Sequence, residues 1–405
     1  MVPRLVGVRC AMRERRLVPL HAGRTTIACL FLAGIGACSV TPTARTGAPP
    51  STVAPTGSPL TQSSAGVSPR PTDRVTIAVL VEGIRAAGTT YRISLVSSSG
   101  TVVAQTSAAK RTSDGVAGRT VLPLMSASNT RLYFLDGDNR LRSISPSGEM
   151  RDEATLPGGR DSAVTFAVKP DDSQLAMAVV HWGSGQPQTH LLVQRMDGSG
   201  QHELAVMSGD ASEGPVGWYQ DRVMFQLGSL RTQSGGTYGW GGGFHLADPG
   251  TGDRVAAVCD EPGWVPWGPI TSGVFCRSLG TSGSPRIVRW DGASSPVPVE
   301  CIAARLALSP DASRFATQQI TRDAAGGCRQ AAPIVLVDLS GHAADTKVAG
   351  FPEGWLDDSH LVFDDEPDID HAVTVRSRIL DLGIKAVTPA VLPGEFVTTV
   401  PAPVA

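Results

Sequence analysis

Charged residues are scarce in this 405-residue chain, at 18% of the total, and aromatic residues make up only 5%. A helical bundle of this size would need more Glu, Lys and Leu, so the shortage points toward a β-rich protein. Lysine occurs only at Lys110, Lys169, Lys347 and Lys385, and the formal net charge is −2. The small net charge is spread along the chain, so no nucleic-acid partner and no basic membrane-binding face are expected. Long apolar runs are absent too. The most apolar stretch, Thr25 to Ala37, falls short of the ~20 residues that cross a bilayer as a helix. The chain also lacks a G-x-S-x-G elbow, an H-E-x-x-H helix, a phosphate-cradling P-loop and a C-x-x-C pair. What it has in quantity is turn formers, with 45 glycines and 30 prolines.

The N-terminus has three parts. Arg13, Arg15, Arg16 and Arg24 make it positive, the uncharged run TTIACLFLAGIGA follows, and it closes on Ile35-Gly36-Ala37-Cys38. That order describes a signal peptide over 1–37. Small residues directly before a cysteine resemble the lipobox of bacterial lipoproteins. The resemblance implies that the Cys38 thiol carries diacylglycerol and anchors the protein at the outer face of the cell membrane. Ile35 stands where Leu is commoner, and cleavage without lipid is the alternative. Residues 38–74 are Pro, Ser, Thr, Ala and Gly with almost no large apolar side chain. Such a segment cannot bury enough surface to offset its ordering entropy, so a disordered tether is expected. Its reach when fully stretched is roughly 120 Å.

From Val75 the pattern turns to short apolar strands between turn residues, with no sustained helical period. One turn recurs between two strands, ending at Gly100, Gly148, Gly198, Gly250, Gly292, Gly341 and Gly383. The interval is roughly that of a four-stranded propeller blade. A glycine after Asp or Ser supplies the positive φ that a tight hairpin needs. Upstream, Val164-Thr165-Phe166-Ala167-Val168-Lys169-Pro170-Asp171-Asp172-Ser173 matches Leu306-Ala307-Leu308-Ser309-Pro310-Asp311-Ala312-Ser313. Elsewhere that position carries tryptophan, as in Gly217-Trp218, Gly263-Trp264 and Gly354-Trp355. These units resemble the WD-like propeller repeats of TolB-like periplasmic proteins and of oligopeptidase propellers. The expectation is an all-β, seven-bladed β-propeller over 75–401. The spare strand Glu395 to Val400 would complete the first blade, and a six-bladed ring is the alternative.

With strands A to D counted from the axis outward, B–C loops and D–A connections share one face of such a ring. The B–C loops His181 to Thr189, Gly228 to Gly242, Thr321 to Ala331 and Asp364 to Asp370 are long and variable, which favours that face for binding. Trp182, Tyr238 and Trp240 sit in these loops, where aromatics either stack on a ligand or fold over the blade ends. Asp364, Glu366, Asp368 and Asp370 offer alternating oxygen ligands, so calcium is a candidate cofactor. They lack the spacing of a calcium hand, and a solvated loop is the alternative. Four cysteines remain beyond Cys38. Pairing Cys259 with Cys276 and Cys301 with Cys328 would staple neighbouring blades on the same face.

The function expected from these features is a monomeric, lipid-anchored binding or scaffolding module for a protein, peptide or envelope glycan. The alternative is an exported propeller hydrolase or lyase acting on glycans or lactones, with carboxylates converging at the axial mouth.

Overall fold

The structure, a computed structural model, describes residues 76–84, 88–112, 125–183, 185–209, 211–229, 243–259, 264–267, 273–278, 285–290, 292–297, 306–322, 328–365, 376–389 and 391–401. These residues form seven antiparallel sheets in a ring, a seven-bladed β-propeller with no six-bladed alternative. From the axis outward, blade 1 runs Glu395–Pro401, Thr76–Glu82, Thr90–Val96 and Val102–Ala109. Blade 2 runs Met125–Ala127, Leu132–Asp136, Arg140–Ile144 and Met150–Thr155. Blade 3 runs Ser162–Val168, Gln174–His181, Gln188–Arg195 and His202–Ser208. Blade 4 holds Ala211–Tyr219, Arg222–Ser229, Phe244–Ala247 and Arg254–Val258, and blade 5 holds Trp264–Trp267, Gly273–Ser278, Arg286–Arg289 and Ser294–Pro296. Blade 6 holds Leu306–Leu308, Arg314–Arg322, Cys328–Asp338 and Ala343–Ala349. Blade 7 holds Phe351–Trp355, His360–Asp364, Arg376–Asp381 and Ala386–Val387, with Leu392–Pro393 also paired to its third strand.

The ring closes as the spare strand implied. Glu395–Pro401 pairs antiparallel with Thr76–Glu82, with Ile77 opposite Val400 and Val79 opposite Thr398. Phe396, Val397 and Val400 are buried by that pairing. Thr76 Oγ1 also donates to Leu356 O of blade 7. The first and last strands of the propeller thus share one sheet, and Thr76–Glu82 is paired on both sides.

The repeated hairpin has one hydrogen-bond design. In blade 1, Gly100 N donates to Ser97 O and Ser97 N to Thr101 O. The same two bonds link Gly148, Ser145 and Glu149 in blade 2, and Gly198, Arg195 and Ser199 in blade 3. They recur at Gly292 in blade 5 and Gly341 in blade 6. All five glycines have φ between 81° and 91°. This is a type I turn followed by a left-handed residue, which suits a three-residue hairpin loop. Blades 4 and 7 depart from the expectation, because there the positive φ falls on Gly252 and Lys385 and not on Gly250 and Gly383. The Asp248 and Asp381 carboxylates accept the Gly250 and Gly383 amides, and the blade 4 turn is one residue longer, closed by Gly252 N to Asp248 O and Asp248 N to Asp253 O. Blade 7's outer strand, expected as one piece, is two short ones, since Pro389 lacks an amide donor for the ladder.

Packing between blades follows the sequence repeats. Trp218 Nε1 of blade 4 donates to Ala167 O of blade 3 at 3.0 Å. Trp355 Nε1 of blade 7 donates to Ala307 O of blade 6 at 2.8 Å. Ala167 and Ala307 occupy the same position of the repeated strand-Pro-Asp-x-Ser unit, so one inter-blade bond is used twice. Blade 3 meets blade 4 through small residues, Ala176 and Ala178, which leave room for Phe225. Pro215 and Pro352 lie on innermost strands beside register shifts. Proline is tolerated there because one edge of an innermost strand faces the channel and needs no ladder donor.

Candidate functional site

The two faces of the ring are built differently. On one, the A–B and C–D hairpins are short and closed by their own hydrogen bonds, as at Lys169 N to Gln174 O and Ser309 N to Arg314 O. Neighbouring hairpins interlock there: Lys169 Nζ lies 2.8 Å from Asp221 Oδ1, and Tyr133 OH donates to Asp172 Oδ1 at 2.8 Å. Burial, and then the bond to Asp172, push the Tyr133 hydroxyl's pKa well up, so it stays a donor. The opposite face carries the B–C loops and D–A connections.

Trp182 lies on that second face, directly after strand B of blade 3. It is half-buried and packs with Ala163, Val180 and Val216 over the seam between blades 3 and 4. Its amide donates to Asp161 O at 2.9 Å, tying the B–C loop to the D–A connection. Tyr238 and Trp240 lie outside the described residues, as do Glu366, Asp368 and Asp370. Asp364 is the last residue of its strand and is buried. No group of three His, Cys, Asp or Glu among the described residues is placed to hold a metal ion. Cys38 and Cys301 also lie outside the described residues.

Cys259 and Cys276 form a disulfide with Cα atoms 5.4 Å apart. It joins the end of blade 4's outer strand to blade 5's second strand, and both cysteines are buried beside Val274 and Trp290. Cys259 has a φ of 55°, which turns the chain inward from the rim toward the axis. Cys328, expected in a loop, begins blade 6's third strand. The ladder runs on past the expected strand end, with Ile320 opposite Gln330 and Thr321 opposite Arg329.

Two carboxylates on innermost strands, Glu353 and Glu213, are held by separate partners. Glu353 Oε2 accepts Ser377 Oγ at 3.0 Å and Phe396 N at 3.2 Å, joining blade 7 to the closing strand. Glu213 in blade 4 is buried at 3% exposure. Arg254 donates to it, and His245 Nε2 lies 3.9 Å away. Burial raises the Glu213 pKa, and Arg254 offsets only part of that rise.

Sequence reasoning passed over the histidines of blade 3. His181 ends strand B and His190 lies near the start of strand C, with ring centroids 5.4 Å apart at 81°. His190 Nδ1 lies 2.7 Å from Glu203 Oε2 on strand D. The available signal was a histidine on each side of one B–C loop.

No family model matches this chain, and no curated protein matches it. Among solved structures it is similar to prolyl oligopeptidase B from Galerina marginata, at 10% identity and a TM-score of 0.39. That match covers 73% of this chain and 44% of the oligopeptidase, so the chain spans less than half of that protein. It is also similar to a protein of unknown function from Bacteroides caccae, at 9% identity and a TM-score of 0.37, covering 81% of this chain and 99% of that one. At such identities the likeness concerns the fold alone.

Proposed function

We propose that this protein is a lipid-anchored extracytoplasmic propeller that binds a protein, peptide or envelope glycan through its B–C loop face without catalysing a reaction. The observation that carries this reading is the asymmetry of the two faces. One is spent on short turns that interlock blade with blade, while the other carries the longer connections on a closed, rigid ring, where binding residues commonly sit. Export is supported by the buried Cys259–Cys276 disulfide, a bond that persists in oxidising compartments. The lipobox-like residues before Cys38 supply the anchor, and 38–74 supplies the reach.

Two measurements test the reading. Cys38→Ala should move the protein from the membrane fraction to the soluble one, and its retention in the membrane fraction refutes the anchor. A photocrosslinker at Gln186, on the loop face, should capture a specific envelope component, and one at Ser340, on the turn face, should not. Equal capture from both faces, or none from either, refutes the binding face.

A further inference from the structure

Blade 3 carries a pair of histidines whose rings keep nitrogens without a hydrogen bond among the described residues. Among the described histidines, His202 contacts the Gly200 and Pro249 carbonyls, His342 contacts Ser340, and His360 lies between Asp357 and Asp381. His245 is buried beside Glu213. His181 is exposed and its ring makes no hydrogen bond among the described residues, and His190 Nε2 makes none. The two rings lie on adjacent antiparallel strands as diagonal neighbours, His181 opposite Gln188 and His190 opposite Val179.

We propose that His181 and His190 form a binding site for a borderline divalent transition-metal ion such as Zn²⁺ or Cu²⁺, with Glu203 as the positioning residue behind His190. The spacing fits. A metal about 2.0–2.1 Å from one nitrogen of each imidazole, in tetrahedral geometry, sets ring centres about 5.2 Å apart. The observed separation is 5.4 Å. Glu203 Oε2 is an acceptor, so the contact selects the tautomer with the proton on Nδ1, which turns the Nε2 lone pair outward for a metal. A carboxylate behind a histidine in this way fixes tautomer and ring orientation in metal sites. Two protein ligands leave two tetrahedral positions for water or for donor atoms of a bound molecule. Because Trp182 follows His181 directly, such a molecule would meet the loop face. The site does not depend on whether the chain is lipid-anchored.

The test is Zn²⁺ titration calorimetry and Cu²⁺ electron paramagnetic resonance on the purified protein under oxidising conditions. The unsubstituted protein should show a Cu²⁺ spectrum with two coupled nitrogens. His181→Ala and His190→Ala should each abolish the corresponding Zn²⁺ isotherm and reduce the spectrum to one nitrogen. Glu203→Gln should weaken Zn²⁺ binding by about tenfold or more without lowering the melting temperature. His342→Ala serves as the control and should change nothing. Absence of Zn²⁺ and Cu²⁺ binding, binding unaltered in both histidine variants, or a one-nitrogen spectrum from the unsubstituted protein would each overturn the proposal.

Discussion

Removing the Cys259–Cys276 bridge by the double substitution Cys259→Ala/Cys276→Ala should lower stability by an amount set mainly by the loop it closes. The two cysteines are 17 residues apart in sequence. Closing a loop of that length in the unfolded chain removes about 10.5 cal/mol/K, or about 3 kcal/mol at 25 °C. Both side chains are buried among Met224, Val258 and Trp290, so shrinking them to alanine adds a smaller packing loss. With an unfolding entropy near 2 cal/mol/K per residue over the propeller, a loss of about 3 kcal/mol lowers the melting temperature by about 4–5 °C. Differential scanning calorimetry at fixed scan rate reads this directly. Either single substitution should cost nearly as much as the pair, because one missing sulfur already opens the loop. Single-variant losses that sum to the double-variant loss, or a double variant melting within about 1 °C of the parent, would refute the reasoning. The bridge would then contribute through packing, or not at all.

Ending the chain at Gly394 deletes the inner strand Glu395–Pro401 and uncovers the edge of Thr76–Glu82; hydrogen exchange should show lost protection across blade 1, and light scattering should show self-association. Trp355→Phe keeps the ring in its pocket but removes the donor to Ala307 O, which should cost about 1–3 kcal/mol in denaturant melts because a buried carbonyl loses its partner. Glu213 has its pKa raised in the folded state, so its contribution to stability is full at acid pH and is lost as pH rises through that raised value. Glu213→Gln should therefore gain stability relative to the parent between pH 4 and pH 8 in a series of urea melts, and a difference that stays flat with pH would contradict the assignment.

Much of the architecture was legible because a propeller is a repeated local pattern. A glycine in a left-handed turn is a local requirement, and five of the seven repeated glycines adopt the same turn with the same two hydrogen bonds. The Gly-Trp and Pro-Asp-x-Ser units mark strand ends that each blade must form, and the spare strand at Glu395 implied closure because an open inner edge is costly. Legibility failed at Gly250 and Gly383, which matched the repeat although their turns run on and place the positive φ at Gly252 and Lys385.

The candidate site divides the same way. By itself, the sequence pointed to a closed propeller of seven blades with six as the alternative, to a turn face and a loop face, and to a Cys259–Cys276 pairing, all from strand period and repeat register; the structure decided for seven blades. Only the tertiary structure decided which polar groups are occupied by the fold. It buried Glu213 against Arg254, gave Glu353 to the closing strand, laid Trp182 half over the seam between blades 3 and 4, and set the His181 and His190 rings 5.4 Å apart. The physical reason is that hydrogen bonding and burial are settled by neighbours across strands and blades, and a strand's own residues do not specify those neighbours.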